Sequence, residues 1–183
     1  MSELSLWKSG NALHPKDVAS HLLISIDPGK NTCGIAVWGC GADGAELLYA
    51  CSFSARNTNK EYPVFVEDLW FEFLDGYADS PPVFFFEVPQ YYAKKRNTFR
   101  GVDALMDVIN AFRKYGICTD NLVYPRQWKG NVPKAVHQKR IQAALTPSEM
   151  LRISEEGSHD MWDAIGVGLF ATGRTGRGAT PYN

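Results

Sequence analysis

Four carboxylates stand where the surrounding residues are apolar or open a helix: Asp27, Glu87, Asp160 and Asp163. Asp27 follows Leu22-Leu23-Ile24-Ser25-Ile26, a run rich in strand formers, and begins the turn Asp27-Pro28-Gly29. A turn of that composition also forms with no chemistry attached to its aspartate. Glu87 closes Val83-Phe84-Phe85-Phe86, the most hydrophobic strand pattern in the chain. An unpaired carboxylate there loses several kcal/mol of solvation, so it needs either a cationic partner, such as Lys94, or a use for its charge. Asp160 and Asp163 lie three residues apart at the start of an expected helix, on one face and about a turn from each other. The helix dipole alone accounts for an acid in the first turn, as at Asp160. It does not account for Asp163, which leads into Ala164-Ile165-Gly166-Val167-Gly168-Leu169-Phe170. In a helix apolar nearly all round, that side chain must lie close to buried.

Converging, these four side chains make an oxygen-rich site for hard divalent cations. Mg²⁺ fits such a donor set, with Mn²⁺ as a substitute, whereas Zn²⁺ calls for His and Cys. Two such ions about 4 Å apart activate a water and stabilise the leaving oxygen of a phosphodiester. The chemistry expected is hydrolysis of a nucleic-acid backbone, with Asp27, Glu87, Asp160 and Asp163 as ligands to two ions.

The elements that must position them read as an α/β domain. Residues 1–20 form a loose leader, 21–173 the folded domain, and the Gly- and Thr-rich residues 174–183 a flexible tail. After the strand ending at Asp27, Cys33–Trp38 and Glu46–Phe53 read as two more strands joined by the Gly-rich turn Gly39–Gly44, completing a meander. A polar loop, Ser54–Glu61, leads to a helix over Pro63–Tyr77. The strand Val83–Val88 is apolar on both faces, as in the middle of a sheet covered by helices. A helix over Thr98–Lys114, a short strand Asn121–Tyr124, a loop Pro125–Pro133 and a helix Lys134–Leu145 follow. Thr146-Pro147-Ser148-Glu149 is a capping pattern, and Asp160–Thr172 is the last helix. This order predicts a mixed five-stranded sheet, three antiparallel strands then two parallel, with helices on both faces.

A chain of 183 residues with net charge −1 holds one well-packed domain. That charge is unevenly spread. Residues 94–140 carry 11 Lys/Arg against 3 Asp/Glu, whereas residues 1–93 carry 5 against 12. The basic segment is either a solvated surface or a phosphate-binding one. Lys94, Lys95, Arg96 and Arg100 follow Tyr91-Tyr92, a pairing suited to phosphate contact and base stacking. Lys129, Lys134, Lys139 and Arg140 offer a second basic edge. Trp128, between Pro125 and Gly130, reads as a residue that packs a loop down or lies at the DNA surface. No signal peptide and no membrane-spanning run is visible. Cys33, Cys40, Cys51 and Cys118 lack metal-ligand spacing, which fits a reducing, cytoplasmic setting.

Ile24-Ser25-Ile26-Asp27-Pro28-Gly29 with Gly34-Ile35-Ala36-Val37 resembles the opening of RuvC-type Holliday junction resolvases, RNase H-like nucleases. Glu87 at its strand end and Asp160-Met161-Trp162-Asp163-Ala164-Ile165-Gly166-Val167 resemble later family motifs, so the likeness covers residues 21–173. It implies an RNase H-like fold, a homodimer, two metal ions at the acidic site and paired nicking of branched DNA. Pro125-Arg126-Gln127-Trp128-Lys129-Gly130 looks like the phage-encoded branch, and places Arg126 at the DNA. The family also implies a catalytic lysine, for which Lys129 and Lys134 both match. The aromatics Tyr91 and Tyr92 come later than the family's wedge residue, leaving open which one stacks. Helix 98–114 carries an apolar face as a candidate dimer surface. His159 reads as a helix-start residue facing water, the other reading being a metal or substrate contact.

Other readings compete. The same fold and metals can serve an RNA–DNA hybrid or a flap. An actin-like ATPase, with Asp-Pro-Gly as its phosphate loop, needs two lobes and about twice this length, so no nucleotide cofactor is expected. A protein that binds nucleic acid without cutting it gains nothing from four acids facing phosphate.

Overall fold

Leu22, Ile24 and Ile26 alternate with Leu23 and Ser25, so a strand through them needs cover on both faces. In the computed structural model both faces are covered. It describes residues 21–29, 32–54, 82–88, 106, 109–110, 112–113, 121–155 and 157–175. The strands are β1 (His21–Pro28), β2 (Thr32–Gly41), β3 (Gly44–Ser54), β4 (Val83–Glu87) and β5 (Leu122–Val123). Among the described residues, the helices that can be followed from end to end are α1 (Pro125–Trp128), α2 (Lys134–Ala144), α3 (Pro147–Met150) and α4 (His159–Ala171), and residues 106, 109–110 and 112–113 are also helical. Five strands form one sheet in the order β3-β2-β1-β4-β5. The β1–β2 and β2–β3 pairs are antiparallel, and the β1–β4 and β4–β5 pairs are parallel. This is the mixed sheet the sequence predicts.

One face of the sheet, with Leu23, Ala36, Trp38 and Ala50, packs against Ala164, Ile165, Val167 and Leu169 of α4. The close approach explains the small residues of that helix. A Cβ on Gly168 would sit 2.0 Å from Trp38 Nε1, and one on Gly34 would sit 1.9 Å from the Asp160 carbonyl oxygen. Beneath Gly168, Trp38 Nε1 donates to Ser25 Oγ (3.0 Å), which donates to the Ala36 carbonyl, so these buried polar groups are paired within the core. On the opposite face Phe86 meets the helical residue Phe112 edge-on, 5.2 Å between centroids, and Ile109 is fully buried. The leader 1–20, residues 55–77 of the expected loop and helix, most of helix 98–114 and Cys118 lie outside the described residues, whereas Ser54, expected to open the loop, ends β3. No helix among the described residues is long and apolar enough to cross a membrane.

Two sequence expectations need correction. The Gly-rich turn shrinks to Ala42 and Asp43, because Gly39, Cys40 and Gly41 pair with Glu46, Ala45 and Gly44. Gly44, at φ +122°, takes the conformation that lets this short hairpin close. The loop expected over Pro125–Pro133 begins instead as helix α1. Pro125 occupies the first helical turn, where a missing N–H costs nothing, and Gln127 Oε1 accepts from the Tyr124 N–H at 2.6 Å. Gly130, at φ +64°, ends the turn.

The Thr146 capping pattern forms as expected and extends into a buried ion pair. Thr146 Oγ1 accepts from Glu149 N, and Glu149 Oε2 accepts from Thr146 N at 2.8 Å. Glu149, 1 % exposed, also accepts from Leu47 N on β3 and from both ends of the Arg174 guanidinium. Arg174, the first residue of the expected tail, donates further to the Ala45 and Ala144 carbonyls. Burial opposes the Glu149 charge, but the Arg174 bonds and two backbone N–H groups outweigh it and lower the pKa from 4.5 to about 2. A depressed carboxylate contributes stability above its unfolded pKa and loses it as pH falls through the folded one. The contribution is about 3 kcal/mol, fully present near neutrality. Chemical denaturation should therefore show wild type losing most of it between pH 4.5 and 2, with Glu149→Gln less stable at pH 7 and less acid-sensitive. Equal acid sensitivity in the two proteins would refute this account.

Candidate active site

The parallel register pairs Ile26 with Phe86 across β1 and β4. Each strand's next residue is its carboxylate, so Asp27 and Glu87 emerge side by side, on the same face, at the carboxyl ends of neighbouring strands. Open sheets of this kind commonly bind ligands at such an edge. That face is the one covered by α4, and Gly34, paired with Asp27, lets the start of α4 settle onto the sheet. Asp163, one turn into the helix and 4 % exposed, then completes the group. One carboxylate oxygen from each of Asp27, Glu87 and Asp163 lies within 4.8 Å of the others. Asp160 stands just outside, its Oδ2 beside Gly29.

Lys129 reaches into this group from the residue after α1. Its Nζ lies 2.7 Å from Asp163 Oδ2 and 3.2 Å from each oxygen of Glu87. Trp128, the neighbouring residue, donates its indole N–H to Glu87 Oε2 at 2.9 Å. Thus Glu87 does have a cationic partner, Lys129; Lys94, the partner considered from the sequence, lies outside the described residues. Asp163 Oδ1 is buried and receives no hydrogen bond among the described residues; His159 Nδ1 stands 3.6 Å away.

Burial, and then the crowding of like charges, shifts these groups. Burial first, then Glu87, Asp163 and Asp160, push the Asp27 carboxyl well above its usual range, against the pull of Lys129. Burial likewise lifts Glu87 to about 7, with Asp163 adding to the rise and Lys129 and Trp128 opposing it. Burial works against the Lys129 ammonium, but Glu87 and Asp163 outweigh it and hold its pKa above the ordinary value. Three clustered carboxylates thus share one lysine, and their full ionisation calls for further positive charge. An orphaned buried carboxylate oxygen, a hard-oxygen donor set and repelling carboxylates all fit a divalent cation.

A pocket of 390 Å³ opens beside the group, its lining including the acidic side chains Asp160 and Asp163, His159, and the basic side chains Arg126, Lys129 and Lys134. Lys134 and Lys129 are thereby distinguished: Lys129 touches the carboxylates, and Lys134, exposed, lines only the pocket. Lys139 and Arg140 are exposed on α2 and are not among the lining residues. Tyr91, Tyr92, Lys94, Lys95, Arg96 and Arg100 lie outside the described residues. His137, also lining the pocket, was not visible as a site residue in the sequence. It is 7 % exposed, its Nε2 has no partner among the described residues, and burial lowers its pKa to about 4, so it is neutral at pH 7.

No protein-family model matches the chain, and no curated protein does. Solved structures do. The Thermus thermophilus RuvC structure superposes with TM-score 0.55 at 17 % identity, covering 85 % of this chain and 97 % of that one. T. thermophilus RuvC in complex with Holliday junction substrate gives 0.54 at 16 %, covering 82 % and 92 %. A Fowlpox virus resolvase in complex with substrate Holliday junction DNA gives 0.52 at 15 %, covering 81 % and 95 %. The sheet order and these likenesses define the fold as RNase H-like. Within that class, a bacterial and a poxviral Holliday junction resolvase are structural neighbours of this chain.

Proposed function

We propose that this chain is a metal-dependent, structure-selective DNA endonuclease that resolves four-way junctions and related branched DNA by paired phosphodiester hydrolysis. The observation that carries the reading is the meeting of Asp27, Glu87 and Asp163, from two strands and a helix, within 4.8 Å in an RNase H-like fold. The structural neighbours bound to Holliday junction DNA favour a branched substrate over a hybrid or a flap.

In this reading Asp27, Glu87 and Asp163 hold divalent cations, with Asp160 a turn away as the fourth ligand. Mg²⁺ is the natural choice, with Mn²⁺ as substitute. Two bound ions supply an activated water and charge neutralisation at the leaving oxygen. The protein's own groups do the rest. Lys129, released from the carboxylates, turns its ammonium toward a phosphate oxygen whose charge grows in the transition state. Arg126 and Lys134 hold the backbone along the pocket wall, and Lys139 extends that basic edge. Tyr91, Tyr92, Lys94, Lys95, Arg96 and Arg100 form the remaining DNA contacts. Paired nicks call for two such sites, hence a homodimer, acting in the cytoplasm of a bacterial or phage-infected cell.

A labelled mobile four-way junction tests this against a linear duplex, a flap and an RNA–DNA hybrid. Symmetric paired nicks in the junction with Mg²⁺, and none with EDTA, are expected. Cutting of the flap or hybrid in preference to the junction would reassign the substrate. Binding with no cleavage in Mg²⁺ or Mn²⁺ would leave a non-catalytic DNA-binding protein.

A further inference from the structure

We propose that Trp128 is a positioning residue: its indole fixes the Glu87 carboxylate and so sets the affinity of the acidic group for divalent cations. This rests on the metal reading of the site given above. Trp128 is 4 % exposed, and a buried N–H needs an acceptor. Its acceptor is Glu87 Oε2, at 2.9 Å. A backbone carbonyl would satisfy the N–H equally well without binding it to the centre.

The ring itself has little freedom. A Cβ on Gly166 would lie 2.0 Å from it, so the absence of that one atom is what lets the indole lie against α4. Gly166 is three residues beyond Asp163, on the same side of the helix. His137 closes the ring from α2, edge-on, with centroids 4.5 Å apart and planes at 66°. Lys129 Nζ stands 4.8 Å from the ring centroid on a face of the indole. Trp128 is thus registered on the helix that bears Asp163 while holding the side chain that ends β4. Its N–H ties one Glu87 oxygen, and with it the plane of the carboxylate, to the position of Asp163. Lys129 must yield when a cation enters, so Trp128 becomes the only donor to Glu87 among the described residues. Outer-shell donors of this kind commonly change metal affinity or activity by about 10- to 100-fold.

Trp128→Phe keeps most of the ring and removes the donor. Titration of the full chain with Mn²⁺, followed by calorimetry or by the resonance of free Mn²⁺, should show affinity weakened by about tenfold or more. Cleavage in the variant should need correspondingly more metal and recover in part at saturation. A second readout uses wild type. Of the five indole N–H signals in ¹⁵N-labelled protein, the one missing in Trp128→Phe should shift on Mg²⁺ addition. Should that variant fail to fold, Glu87→Gln identifies the same signal by displacing it. Mn²⁺ affinity in Trp128→Phe within twofold of wild type, or a Trp128 signal indifferent to Mg²⁺, overturns the positioning role alone. Absence of Mn²⁺ binding by wild type overturns the metal reading and this inference with it.

Discussion

Asp163→Asn is expected to lower junction cleavage by more than about a hundredfold, beyond what loss of an outer-shell contact causes, while the metal-free protein melts no earlier than wild type. The two halves of this expectation have one origin. Asp163 is 4 % exposed, one of its oxygens receives no hydrogen bond among the described residues, and its charge helps raise the pKa values of Asp27 and Glu87. Replacing it with a neutral amide gives up the 2.7 Å Lys129–Asp163 ion pair but relieves that repulsion and leaves the Lys129–Glu87 pair in place. What it removes is a hard anionic ligand, for which an amide is a poor substitute. Glu87→Gln and Asp27→Asn should behave alike, with junction binding largely retained in all three. Melting with and without millimolar Mg²⁺ separates the effects, since a ligand stabilises only the state that binds it. Wild type should gain melting temperature on Mg²⁺ addition and the variants should not. Near-normal nicking by any purified variant would remove that residue from the centre.

Much of this centre is legible in the sequence because strand physics is local. An apolar run that stops at a carboxylate places that carboxylate at a strand end, and two parallel strands with the same offset place two of them side by side. Asp27 and Glu87 meet for that reason. Asp163 follows from a helix too apolar to leave it exposed. Asp160 shows where spacing falls short. Three residues share a face, but they are separated by about 4.5 Å along the axis, enough to hold Asp160 outside the tight group. The lysine partner was illegible for a different reason. Lys129 is 42 residues from Glu87 in sequence and reaches it because β5 pairs with β4 and delivers α1 to the same sheet edge. Nothing in the residues around Lys129 announces that pairing. Pro125 and Gly130 hid α1 itself, since the residues that start and stop a one-turn helix are also those that punctuate loops. Trp128 and His137 were hidden with it, their roles being set by contacts with α4 and with each other.

Removing the Lys129 charge should produce a protein that binds metal more tightly and cuts more slowly. Its ammonium lies against both Glu87 and Asp163 and neutralises part of the acidic group, so a cation entering between those two carboxylates must displace it. Lys129→Met abolishes that competition, and the Kd for Mn²⁺ should fall. The same change removes the cation offered to phosphate, and loss of one such donor typically slows chemistry by about 10²- to 10³-fold. Stability in the absence of metal should fall by about 2 kcal/mol near pH 8, the scale of hydrogen bonds to charged groups, since the lysine end of the pair is partly open to solvent and so partly screened. The pH dependence has a definite sign. Glu87 titrates at about 7 in the fold against an ordinary 4.5. A raised carboxylate contributes stability below its unfolded pKa and loses it as pH rises through the folded one. Lys129 opposes that loss by favouring the charged form, so its removal widens the loss at pH 8 and matters less at pH 5, where Glu87 is protonated. Melting curves of wild type and Lys129→Met should therefore diverge with rising pH and draw together again when Mg²⁺ takes over the neutralising role. A variant with weaker Mn²⁺ binding than wild type, or a stability gap that does not change with pH, would show that Lys129 neither competes for the cation position nor screens these carboxylates.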